Sequence, residues 1–197
     1  MRIFSGLFLI VFAATFVACS SPGGSKSPVP AEPALLVADE TIETPQQERS
    51  KVNFHRPETW LVGYFKPDLL ARPPHDEWYM PEYTAYEPKE EEIHRIQEAN
   101  INGVSILIVL GTWCPDSHRE VPRFIKMLDA CGMNRIPVSF LGVDMNKFAP
   151  IGDYDKLEIK KVPTFIIYRN NIEAGRIIEY PVTSLERDLA EILLKKQ

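Results

Sequence analysis

Cys114 stands where an apolar run gives way to a helix pattern, in the segment Trp113-Cys114-Pro115-Asp116-Ser117. A thiol so placed is a candidate nucleophile. The first turn of a helix leaves backbone N–H groups unpaired and carries a partial positive charge, and both favour thiolate over thiol. Such sites bring a cysteine pKa from about 8.5 into a range of roughly 3.5–7.5. Pro115 suits the first helical position, where a missing N–H costs little. Ser117, one turn on, is expected to offer its hydroxyl to the sulfur. Asp116 acts in two senses: it suits the helix dipole, yet its charge opposes a neighbouring thiolate.

The elements that position these residues are readable from periodicity. Ser105 to Gly111 is a continuous, β-branched run, the pattern of a central strand covered on both faces. Val121, Phe124, Ile125 and Leu128 then recur at helical spacing, so Cys114 tops a strand-to-helix junction. Glu87 to Asn102 reads as a helix with Ile93 and Ile96 inward and Gly103 as its stop. Ile136 to Asp144 reads as a strand with Pro137 near its start, and Ile151 to Lys160 as a helix. Thr164 to Arg169 is a strand entering an Asn170-Asn171 turn. Thr183-x-x-Glu186 is a capping box that opens a terminal helix carrying Leu185, Leu189, Ile192 and Leu193.

Over about residues 104–196 the chain resembles the thioredoxin family. The resemblance rests on the Trp-Cys-Pro-x-Ser segment after the strand, on Pro122 eight residues after Cys114, on Val162-Pro163-Thr164 and on the terminal helix. It implies an α/β, thioredoxin-like three-layer fold, a mixed central sheet flanked by helices, here with an aromatic-rich N-terminal extension. It also implies that Pro122 kinks the helix and that Pro163 is the cis-proline shaping a groove for an extended client. Cys114 would be the nucleophile with Ser117 beside it, and Trp113, Pro115, Val162 and Thr164 would contact the client. Two positions depart from the family pattern: Ser117 replaces the second cysteine, and Ile108 replaces the usual buried acid. The parts that resolve a mixed disulfide are therefore missing, and release falls to an external thiol or to another cysteine of the client. No cofactor is implied.

Two other readings stand beside that one. The fold can serve as a redox-inactive module that only holds clients. Cys114 and His118, four apart, could instead share a helix face and bind copper or zinc, although a third ligand is wanting; otherwise His118 reads as a solvated helix residue. His55, His75 and His94 read as surface or packing residues, Arg119 and Glu120 as helix surface. Asp153 and Asp155 are too sparse for a calcium site.

Arg2 followed by the apolar stretch Ile3 to Ala18 reads as a signal peptide. Its end, Ala18-Cys19-Ser20, resembles the bacterial lipoprotein box, which makes Cys19 the lipidated first mature residue. The expected organisation is thus a signal peptide over 1–18, a disordered tether over 19–51, an extension with a first helix over 52–103, and the core over 104–197. The tether would reach roughly 30 Å on average. The implied address is the bacterial cell envelope, lipid-anchored on the periplasm-facing outer membrane. The implied partners are disulfide- or thiol-containing envelope proteins and a thiol reductant. A net charge of −5 argues against nucleic acid as a partner. Cys131 falls on the helix stripe of Leu128, about 25 Å from Cys114 at helical rise, and reads as an inert core residue. The rings of 52–87 either pack as buried area or form an aromatic wall beside Cys114.

Overall fold

The structure, a computed structural model, describes residues 55–133 and 135–195. The signal segment, Cys19 and the tether over 19–51 lie outside the described residues. No helix among the described residues is long and apolar enough to cross a membrane.

Five strands, β1 (Gly63–Phe65), β2 (Val104–Leu110), β3 (Val138–Gly142), β4 (Thr164–Arg169) and β5 (Ile172–Ile178), form one mixed sheet in the order β1-β3-β2-β4-β5. β2 runs parallel to β3 and antiparallel to β4, while β1 joins the outer edge of β3 antiparallel. β4 and β5 form a hairpin whose two turn residues, Asn170 and Asn171, both have positive φ (51° and 65°), as a type I′ turn requires. The helices are α1 (Asp76–Ala85), α2 (Glu90–Gln97), α3 (Pro115–Ala130) and α4 (Leu185–Leu194).

Strand alternation sorts β2 between two apolar clusters. Ile106, Ile108 and Leu110 join Phe124 and Met127 of α3, Ile96 of α2 and Leu189 of α4. Phe124 stacks on Phe165 of β4 with ring centroids 4.2 Å apart, fastening α3 to the sheet. Leu107 and Val109 point the other way, to Leu141, Val143 and Ile166. That second face is covered by the stretch 143–162, whose regular element is a single 3-10 turn over Tyr154–Leu157. The helix expected over 151–160 is therefore absent. Asp153 and Glu158, at either side of the turn, take positive φ (59° and 49°), so the backbone leaves the right-handed region before and after it. Tyr154 and Leu157 are spaced for one 3-10 turn and both pack under it.

Other boundaries shift for local reasons. α2 starts after Pro88, because the residue before a proline is disfavoured in the helical region. β3 starts after Pro137, whose carbonyl accepts from Ile106 N at 2.9 Å but which has no N–H to offer. The cap of α4 is Ser184, whose hydroxyl accepts from Arg187 N at 3.2 Å, in place of the expected box on Thr183 and Glu186. Glu186 turns inward instead, fully buried, and accepts the Tyr86 hydroxyl at 2.6 Å.

That bond is one of several tying the aromatic segment to the core. Tyr83 donates to Asp129 at 2.6 Å, Arg123 pairs with Glu82 at 2.8 Å, and the Arg123 guanidinium lies 5.7 Å from the Tyr86 ring centre. Cys131 closes α3 inside the helical core. Burial, then the charge of Glu186, pushes its thiol up to about 12.

Candidate active site

Between β2 and α3 the chain turns in four residues. Cys114 N donates to Gly111 O at 2.9 Å, and Gly111 N donates to Ser117 Oγ at 3.3 Å. A Cβ on Gly111 would fall 2.6 Å from the Trp113 indole, so the turn requires glycine there. Trp113 Nε1 in turn donates to Val143 O at 2.9 Å, laying the ring on the start of the 143–162 cover.

Cys114 is the N-cap of α3, with φ −90° and ψ 123°, and its carbonyl accepts the first helical bond, from His118 N at 3.0 Å. Pro115 occupies the first helical position. The sulfur lies 3.3 Å from Val162 O, and the residue is 7% exposed. A carbonyl oxygen only accepts, so this contact is made by the protonated thiol. The Val162–Pro163 peptide is cis, and it delivers the chain into β4, where Thr164 Oγ1 donates to Lys161 O at 2.7 Å. Pro163 O accepts from Glu179 N at 2.7 Å, and Lys161 pairs with Glu179 at 2.5 Å. Trp113, Cys114 and Val162 thus share one cluster on the second face of the sheet.

Ser117 corrects an expectation. It is fully buried, and its hydroxyl accepts the Gly111 amide, while the bond the sulfur makes is to Val162. Ile108 is also fully buried, so the position of the usual acid is filled by hydrocarbon. Asp116 pairs with Arg119 at 3.1 Å. Arg119 also reaches Glu120 at 2.6 Å, and Glu120 is buried, not a surface residue.

A family model described as thioredoxin matches residues 75–189, more than half of the chain. The chain belongs to the thioredoxin family. A Dictyostelium discoideum protein bearing the name thioredoxin-5 is 28% identical over 107 residues, covering 54% of this chain and 97% of its own. Among solved structures, mitochondrial thioredoxin 3 from Saccharomyces cerevisiae is 22% identical with a TM-score of 0.35, over 56% of this chain and 98% of its own. A Pseudomonas aeruginosa protein of unknown function is 14% identical with a TM-score of 0.43, over 60% and 78%. Membership and fold point to thiol–disulfide redox chemistry in general.

In this chain, histidine and aromatic residues border the cysteine turn in a way that spacing did not suggest. His118 is not solvated: its ring stacks on Trp78 of α1 at 4.3 Å and 12°, and its Nε2 lies 2.6 Å from Thr112 O. Trp60 sits 6.1 Å from Trp113, centre to centre. The aromatic segment therefore packs on the core and reaches Trp113 and His118, which stand before and after Cys114 in the chain. His118 Nε2 is engaged by Thr112 O and the Cys114 sulfur by Val162 O. Among the described residues no group of three His, Cys, Asp or Glu is placed to hold an ion. Thr112, buried between Leu61 and His118, carries no signal in the sequence, whereas the aromatic crowding of 52–87 does.

His75 is likewise interior, edge-on to Trp78 at 6.2 Å. Burial first, then the neighbouring His118, lowers its pKa to about 4, against a small opposing effect of Asp76. Unfolded, the same imidazole takes up a proton near pH 6.5. Between those values the unfolded chain binds more protons, so stability falls as pH drops from about 6.5 towards 4. The contribution at pH 5 is about 2 kcal/mol relative to pH 7. Urea midpoints at both pH values check this, and the His75→Gln variant should show a smaller drop than the wild type.

Proposed function

We propose that the protein is a membrane-anchored, single-cysteine thiol–disulfide exchange protein of a bacterial envelope. The observation that carries the reading is Cys114 at the N-cap of α3, 3.3 Å from the carbonyl of the cis Val162–Pro163 loop, with a hydroxyl at Ser117 where a second thiol would be. The Cys114 thiol loses its proton to solvent, and the thiolate attacks one sulfur of a client disulfide. A new S–S bond forms as the client's other sulfur leaves as thiolate. Ser117 cannot break that bond. Either a different cysteine of the client attacks the client sulfur, forming a new client disulfide and expelling the Cys114 thiolate, which is isomerisation, or an external thiol does, and a second equivalent of that thiol then completes reduction. Trp113, Pro115, Val162, Pro163 and Thr164 form the client contact in this reading, and no cofactor takes part.

Anchoring is supported by Arg2, the apolar run Ile3 to Ala18, and Cys19 after a small residue. Lipid on Cys19 would hold the domain to the periplasm-facing outer membrane, within reach of envelope clients.

Acid-quenched trapping from the native envelope tests the exchange. Wild-type protein should carry disulfide-linked clients that are reduced at least about a hundredfold in Cys114→Ala and unchanged in Cys131→Ala. Adducts that survive Cys114→Ala, or none in the wild type, defeat the reading. The enclosure of the sulfur favours a second one, a holding module without turnover. Steady-state disulfide reduction with a supplied thiol separates the two, since a holding module shows no turnover.

A further inference from the structure

The bond between His118 and Thr112 spans the nucleophile. Thr112 is fully buried two residues before Cys114, and His118 lies in the helix four residues after it. A carbonyl oxygen 2.6 Å from Nε2 can only accept, which fixes the ring as the Nε2–H tautomer. Both ends of this clasp are held by the segment before residue 86. Leu61 N donates to Thr112 Oγ1 at 3.1 Å, and Trp78 lies flat on the imidazole at 4.3 Å.

The geometry has a chemical consequence. Helix N–H groups stabilise a thiolate only while the sulfur stays over the helix start. Cys114 keeps that place through its cap dihedrals and through two short backbone bonds, to Gly111 and from His118. Without the clasp, Thr112 O would be a buried acceptor lacking its partner, and the turn would rearrange to find one.

We propose that His118 is a positioning residue for Cys114: its Nε2–H holds the Thr112 carbonyl and Trp78 holds its ring, so that the start of α3 stays aimed at the sulfur. The inference rests on the exchange reading for its purpose but not for its measurement. His118 bonds to backbone, not to sulfur, and moves no proton in this role.

The test uses the full chain and follows alkylation of Cys114 by iodoacetamide at neutral pH, read on the Cys114 peptide by mass spectrometry, with circular dichroism melts as the control for folding. His118→Leu, of similar bulk but without a donor, should slow alkylation about tenfold. His118→Gln restores a side-chain N–H at similar reach and should recover most of the rate. Trp78→Leu should lose part of it, and Trp78→Phe, which can still stack, less. Wild-type rates in His118→Leu overturn the proposal, as does a folded His118→Gln no faster than His118→Leu. If His118→Leu does not fold, the Gln and Trp78 variants decide: a Trp78→Leu rate equal to wild type overturns it. Failure of exchange itself reads differently, as a wild-type Cys114 that alkylates but forms no mixed disulfide.

Discussion

Ser117→Cys should turn a persistent mixed disulfide at Cys114 into a transient one, shortening its lifetime at least about a hundredfold. Residues three apart on a helix have Cβ atoms about 5–6 Å apart, close enough for modest local adjustment to bring their sulfurs together. The new thiol would replace a hydroxyl that is fully buried and that accepts only one backbone amide, from Gly111 at 3.3 Å. Losing that bond to a weaker sulfur acceptor costs about 1 kcal/mol, which the fold can tolerate. Attack then becomes intramolecular and no longer waits for an outside thiol. The gain stays below that of a two-cysteine family member, because Ile108 supplies no carboxylate to help ionise the incoming thiol. An acid-quenched time course on non-reducing gels measures the lifetime. A value unchanged from wild type would mean that the side chain at 117 cannot reach the sulfur.

Phe124→Ala should destabilise the domain by about 3–5 kcal/mol. Phe124 is fully buried in the middle of α3, and its ring stacks on Phe165 of β4 at 4.2 Å and 21°. Truncation removes the transfer free energy of the ring and leaves a cavity between α3 and the sheet that its surroundings only partly close. For a domain of this size the loss corresponds to a fall in Tm of roughly 10 °C or more. The same helix ends at Cys131, inert while buried with its thiol pushed up to about 12. Alkylation of Cys131 should therefore rise in the variant as α3 loosens. A loss under about 1 kcal/mol in thermal and urea melts would show that the stacked pair is not what holds α3 to the sheet.

Much of the frame was legible in the chain because its signals are local. The run 105–111 became β2, the stripe of Val121, Phe124 and Leu128 became the inner face of α3, and Asn170-Asn171 became the hairpin turn. Each rests on the chemistry of a few adjacent residues. Errors arose where local patterns admit two outcomes. Tyr154 and Leu157 fit one turn of helix as well as three, and left-handed residues at 153 and 158 decide for one. Thr183 and Ser184 can each cap a helix, and the choice depends on Glu186 finding Tyr86, a hundred residues away.

The site divides along the same line. That Cys114 would sit at a helix start followed from the junction alone. That Ser117 faces Gly111, that His118 is pressed under Trp78, and that Thr112 joins Leu61 to His118 are facts of distant pairing. Periodicity marks which face of a helix turns inward but not which polar atom it brings there, so the buried Glu120, His75 and Glu186 were unreadable.

The three residues of β1, lying along the outer rim of β3, decide where this protein can be cut. A fragment beginning at 104 would keep Cys114 and the cis-proline loop, and would look self-sufficient on paper. It would also bare the row of backbone donors and acceptors that Gly63 to Phe65 now occupy, next to an apolar strand. A bare rim of that kind invites another chain to add itself. The short first strand is therefore less an appendage than the guard rail that keeps one copy from zipping to the next.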